Sequence, residues 1–249
     1  MVRTFSWYIG SRVFEVLKKI DDRLFLIGVA HVLPTSATEV GDVIKRERPD
    51  IVAVELCPTR YLVLTQRAKR PGAFDAARVG PKLLLLSGLL YLLQSKFSRQ
   101  TGMPAGEEML VAIKHAQEVG ARVELIDKDI GLTLQRLINR MPWRERLRLF
   151  GELLIDLLPI GKSVELERLT DEQIVSYLLE ELKRASPTAY EVLIQERDAY
   201  MASRLTMLLA EGTKVACVVG AGHVAGIFKR LSGGVPEGWR VSLKYKVGG

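Results

Sequence analysis

The sequence predicts an α/β fold with a central mixed, largely parallel sheet, built from both ends of the chain around a large helical insert. Three observations carry this expectation. The runs "LFLIGVAHV" (24–32), "IVAVEL" (51–56) and "KVACVVG" (214–220) are continuously apolar, as strands buried on both faces are. A helical stretch separates the first two by short links, which is the order of a parallel βαβ unit. The residues between about 81 and 211 are mainly helical in pattern, interrupted by a strand near 122–127.

Taken in order, "VFEVLKKI" (13–20) alternates, turns at "DDR" and pairs with 24–32 as a hairpin whose second strand is buried. Ser36 caps a helix through about Arg48, with Glu39 at the capping-box position, and Pro49-Asp50 ends it. Residues 82–97 are apolar almost all round, and a helix from Ala105 to Val119 leads into the strand "RVELID" (122–127). Helices are expected near 131–140, 143–158, 171–184 and 187–211. A last βα unit joins 214–220 to a helix over 223–231, and "RVSLKY" (240–245) closes as a strand. No stretch is polar enough for a disordered linker, so residues 1–249 are expected to form one domain.

The chain is 48% hydrophobic but only 7% aromatic, so its core is built from Leu, Val, Ile and Ala. The formal charge of +7 suggests an anionic neighbour only weakly, because 29 acidic residues are interspersed. No aromatic residues interleave with basic ones and no nucleic-acid motif is present, which argues against a nucleic-acid partner. Cys57 and Cys217 both lie in apolar runs and read as buried free thiols of a reducing, cytoplasmic protein. Met1 is followed by mixed polar sequence, so no signal peptide is expected. The single asparagine, Asn139, fits a heat-adapted source. "KLLLLSGLLYLLQ" (82–94) falls short of the roughly 20 apolar residues that span a bilayer. It reads first as a buried helix or a contact in a homo-oligomer, with a membrane-surface patch as the alternative. Arg136, Arg140, Arg144 and Arg148 recur every four residues, as a solvated face or, alternatively, as a site for anionic lipid.

Chemistry enters through a repeat. "LIGVAHV" (26–32) and "VVGAGHV" (218–224) both run from an apolar strand into Gly-x-x-His, and they hold two of the chain's three histidines. "GAGHVAG" (220–226) stands where a dinucleotide-binding loop would, after a strand and at the start of a helix. Only one further strand follows, with no acidic residue at its end, so too little chain remains for a dinucleotide fold. The plainer alternative is a glycine strand exit with a packed histidine. Against it, both imidazoles stand just beyond a buried strand's carboxyl end, where open α/β sheets place their sites. Glu55 adds a carboxylate inside an apolar strand, expected to lie next to the strand ending in His31. A buried carboxylate is costly unless paired or bound to metal. Arg60 supplies one explanation, a buried ion pair. Two imidazoles and a carboxylate supply another, a ligand set for a divalent transition metal.

The chain resembles the TraB/PrgY (pheromone-shutdown) family, relatives of GumN and of the Tiki proteins. The resemblance lies in "GVAHV" (28–32), "PDIVAVELCPTRY" (49–61), "PAGEEMLVAIKHA" (104–116), "VELIDKDIGLTLQR" (123–136), "ERDAYM" (196–201) and "VACVVGAGHVAGI" (215–227). Val29, Lys128 and Ala105 depart from the family's usual Thr, Arg and Gly, and none of these is a candidate ligand. The resemblance implies a fold like erythromycin esterase and ChaN, with a site between two halves of the chain. It implies metal-dependent peptidase activity, as described for the Tiki relatives, or the degradation or sequestration of peptides associated with the bacterial namesakes. Many archaeal relatives carry a membrane-spanning C-terminal region, so this chain is expected to be a soluble or shortened form, membrane-associated if it naturally continues.

Together these lines give a set of expected roles. His31 and His223 bind manganese, cobalt or zinc, with Glu55 as third ligand or as general base. Glu107, at a position matched through the resemblance, is the base if Glu55 is a ligand. Arg60 and Arg197 bind a peptide carboxylate or an oxyanion. Asp198 orients a histidine; ion pairing on a helix face is the competing account of "ERDAYM". Asp127 and Asp129 support the site or cap the next helix. His115, mid-helix, is a surface or packing residue, and Cys57 is a small buried residue rather than a nucleophile. The expected function is hydrolysis of peptides or small proteins, and the alternative is a non-catalytic protein that captures a peptide or haem.

Overall fold

The computed structural model describes residues 16–20, 22–29, 35–65, 106–148, 171–233 and 241–244. Six strands form one sheet: β1 (Val16–Ile20), β2 (Leu24–Val29), β3 (Ile51–Val54), β4 (Arg122–Leu125), β5 (Val215–Gly220) and β6 (Val241–Lys244). Their spatial order is β4-β3-β5-β2-β1-β6. Neighbours from β4 to β2 are parallel, while β1 runs antiparallel to both β2 and β6. The protein is therefore a mixed, largely parallel α/β fold whose strands come from both chain ends.

Periodicity two sorts the strand residues between two faces. Leu24, Leu26, Ile51, Ala53, Val215, Cys217 and Val219 pack against helices α7 (Glu196–Ala210) and α8 (Ala221–Gly233). Ile27, Val29, Val52, Val54, Ala216 and Val218 pack on the opposite face against α1 (Thr35–Glu47) and α3 (Glu107–Val119). Both faces are covered, which explains why β2, β3 and β5 read as unbroken apolar runs. β4 closes one edge. Its Arg122 pairs with Glu124 and Glu211, placing charge on an edge that would otherwise invite further pairing.

One expectation is corrected. β2 and β3, joined through α1, are not neighbours, because β5 lies between them and pairs with both. Glu55 therefore follows the strand beside Gly220, not the strand that leads to His31.

The insert contributes α4 (Ile130–Arg140), α5 (Asp171–Ala185) and a short α6 (Pro187–Tyr190). Asp129 caps α4, accepting from the backbone N–H groups of Gly131 and Leu132. The helix expected over 187–211 is interrupted: residues Glu191–Gln195 form a π-turn before α7 begins. A further short helix, α2 (Pro58–Leu64), follows β3 with Pro at its start, where a missing N–H costs nothing. On the far face His115 of α3 lies over Gly41 of α1, where a Cβ would overlap the ring. Its Nδ1 meets Glu118 at 2.9 Å, a packing and surface role rather than a site role.

No helix among the described residues is long and apolar enough to cross a membrane. The leucine-rich segment 82–94 lies outside the described residues.

Candidate functional site

Glu55 continues the alternation of Ile51 and Ala53, so its side chain leaves β3 on the face of α7 and α8. Its backbone N–H still bonds to Val218 O at 3.0 Å, keeping the residue in the ladder with β5. Burial alone would raise its carboxyl pKa. The charges of His223, Arg197 and Arg60 and the Gly220 N–H outweigh that and hold it at about 2. Oε2 accepts the Gly220 N–H at 2.6 Å, and Oε1 takes the Nη2 of Arg197.

His223 stands in the first turn of α8, three residues past Gly220. It is buried, and its two ring nitrogens face two carboxylates. Nδ1 lies 2.6 Å from Asp198 Oδ1, and Nε2 lies 3.4 Å from Glu55 Oε1. Arg197 and Asp198 are consecutive on α7, just after the π-turn. Arg197 reaches Glu55 and grips Asp127 with Nη2 at 2.8 Å and Nε at 3.0 Å. Its Nη1 satisfies the Leu193 carbonyl within the π-turn at 3.2 Å. Burial would lower the Arg197 pKa, but the adjacent Glu55 and Asp127 raise it, so it stays charged.

The structure thus brings together Glu55, Arg197, Asp198 and His223, with Asp127 as a further member. Arg60 comes to 3.9 Å of Asp127 Oδ2 and does not form the direct pair with Glu55 expected from their closeness in sequence. Arg197 takes that place. Its Nε and Nη2 donate to the protein's own carboxylates and its Nη1 to the Leu193 carbonyl. The neighbouring Glu196 faces outward to Lys128, Arg136 and Arg140, so helix-face pairing and an inward site coexist in one hexapeptide. His31 lies outside the described residues, and of Glu107 only the backbone, at the start of α3, is described. Cys57 and Cys217 are buried free thiols. Burial, with the negative charge of Glu55 added, pushes the Cys217 thiol well above its ordinary pKa.

Sequence reading missed two residues of α8. Gly226 packs so closely on Asp198 that a Cβ there would overlap the carboxylate. Arg230 approaches Asp198 Oδ2 at 3.7 Å. Their spacing from His223, i+3 and i+7, marks one helix face and was the available signal.

The donor chemistry fits a divalent cation in part. An imidazole that gives its Nδ1–H to a carboxylate is fixed in the tautomer that frees Nε2 for a metal. That nitrogen faces Glu55 Oε1, so His223 and Glu55 supply one nitrogen and one oxygen donor on one side. Among the described residues no group of three or more His, Cys, Asp and Glu side chains is arranged to hold a metal ion.

The TraB/PrgY/gumN family model matches residues 14–242. The chain is 36% identical over 231 residues to the uncharacterized protein MJ1365 of Methanocaldococcus jannaschii, covering 88% of this chain and 55% of that one. It is 29% identical over 248 residues to the TraB domain-containing protein of Mus musculus and 28% over 247 residues to that of Homo sapiens. Each of these two matches covers 88% of this chain and 65% of the relative. The chain thus spans between about half and two thirds of these relatives. With a family match across nearly all of its length, the chain belongs to the TraB/PrgY/gumN family.

Proposed function

We propose that the protein is a metal-dependent peptidase, acting on peptides or small proteins, with His31, His223 and Glu55 as ligands and Glu107 as general base. The observation that carries this reading is the buried line Asp198–His223–Glu55 at the carboxyl end of the central strand. A structural histidine has no need of a carboxylate on each nitrogen. Burying that many charges is expensive, and they are tolerated where their arrangement has a use. A divalent cation would supply a water of lowered pKa and a polarised carbonyl.

The chain's own residues then have separate tasks. Asp198 holds the His223 ring with Nδ1 protonated. Arg197 and the Gly220 N–H hold both oxygens of Glu55, fixing the carboxylate while leaving it little freedom to carry a proton. The base role therefore falls to Glu107, whose carboxylate would take the proton of the attacking water. Arg60, only partly buried, is the cation available to a peptide carboxylate or oxyanion.

The test uses unstructured peptides with manganese, cobalt and zinc supplied in turn, since imidazole and carboxylate do not choose among them. His31→Ala and His223→Ala should each abolish metal binding and cleavage. Glu107→Gln should bind metal normally and lose turnover by on the order of a hundredfold. Equal loss in Glu55→Gln with metal retained would move the base to Glu55. A wild-type protein that binds peptide or haem tightly, cleaves nothing under any metal and is indifferent to both histidine substitutions is a capture protein instead.

A further inference from the structure

We propose that Gly226 and Arg230 are positioning residues that fix the Asp198 carboxylate against the His223 ring. The proposal rests on the reading of His223 as a working residue of the site. It adds two residues that touch neither the candidate ligands' free atoms nor a substrate.

The geometry comes from one helix face. His223, Gly226 and Arg230 occupy successive turns of α8 at i, i+3 and i+7, and all three meet α7 at Asp198. The Asp198 carboxylate lies directly on the backbone of Gly226, with Oδ2 in the volume that any Cβ would fill. With Oδ2 seated there, Oδ1 comes to 2.6 Å from His223 Nδ1. Asp198 is buried, so displacing its carboxylate means repacking the helix contact, not swinging it into water.

Arg230 closes the arrangement from outside. Its Nη1 donates to the Gly226 carbonyl at 3.0 Å and lies 3.7 Å from Asp198 Oδ2. Its Nη2 donates to the Gln195 carbonyl at 3.1 Å, at the end of the π-turn. A π-turn breaks the usual i to i+4 ladder, and Arg230 takes up a carbonyl there. The guanidinium therefore ties together the glycine under the carboxylate, the carboxylate itself and the turn that aims Asp198 inward. A lysine could supply the charge but not this planar, two-pronged grip.

The metal-free chain of 249 residues carries the decisive measurement. Asp198-bound Nδ1–H of His223 should give a slowly exchanging, far-downfield proton resonance, assigned by its absence in His223→Gln. Gly226→Ala should lose that resonance as completely as Asp198→Ala does. Arg230→Met should shift or broaden it, and Arg230→Lys should restore it only in part. Cobalt(II) titration should show weaker binding in Gly226→Ala and Arg230→Met, on the order of 10- to 100-fold. Gly226→Ala should add nothing further in the Asp198→Ala background. A folded Gly226→Ala or Arg230→Met protein that keeps the wild-type resonance overturns the proposal. If Gly226→Ala does not fold, the Arg230 variants decide alone. The resonance is read without metal or peptide, so failure of the peptidase reading leaves this result standing on its own.

Discussion

Removing the Arg197 guanidinium should expose the cost of the charge cluster directly. Arg197→Met keeps the length of the side chain and deletes the cation shared by Glu55 and Asp127. The side chains involved are 15%, 10% and 3% exposed, so solvent can replace little of what is lost. Breaking a buried ion pair typically costs about 3–5 kcal/mol. The expected loss at pH 7 is therefore about 4 kcal/mol, or roughly 8–16 °C in midpoint for a chain of this size. Urea unfolding of both proteins between pH 7 and pH 3 is the assay. In the metal-free wild type the depressed Glu55 pKa contributes stability above about pH 4.5, lost as pH falls through about 2. In Arg197→Met the Glu55 carboxyl keeps His223, Arg60 and the Gly220 N–H but loses Arg197, so its pKa moves up toward the ordinary value and less stability is lost as pH falls. The gap between the two proteins should narrow toward acid. A loss below about 1 kcal/mol at pH 7, or a gap that widens with acid, would refute the reasoning.

Two further outcomes are expected. Cys217, buried and with its thiol pKa raised, should resist thiol reagents at pH 8 in the folded protein and react at the rate of unfolding; fast labelling under native conditions would contradict its placement. Gly41→Ala should destabilise by about 1–3 kcal/mol through collision with the His115 ring, and His115→Ala in the same chain should recover most of it by thermal melting.

β2, β3 and β5 were legible because each is an apolar run bounded by Gly, Pro or charged residues, and parallel strands covered on both faces must look that way. Their order was not. Nothing local in "VACVVG" says that it enters between β2 and β3, because that outcome depends on contacts across most of the chain. Glu55 was legible for the opposite reason, as a charge where its neighbours are all apolar. Its partner was not, since Arg197 lies 142 residues away while Arg60 stood five residues away. The π-turn was hidden because five residues of altered hydrogen bonding leave the helical pattern on either side intact. It nevertheless precedes the adjacent Arg197 and Asp198, of which one reaches Glu55 and the other His223. The regular spacing of Arg136 and Arg140 pointed to a solvated face, and both side chains are in fact ion-paired there, with Glu191 and Glu196.

The duplicated Gly-x-x-His motif acquires a physical meaning from the sheet. β2 and β5 are parallel neighbours, yet the two motifs are not in step: Gly28 pairs with Val219 and Gly220 pairs with Val29. The second motif thus begins one residue further along, about 3.3 Å. After the second motif α8 begins at Ala221, so His223 stands in its first turn. Between the end of β2 and Glu55 stands the end of β5, and its last residue is Gly220. A Cβ there would come 3.2 Å from Glu55 Oε2 and 3.9 Å from the His223 ring. On the proposed reading, a group held by both His223 and the end of β2 would lie over Gly220, the position from which no side chain projects.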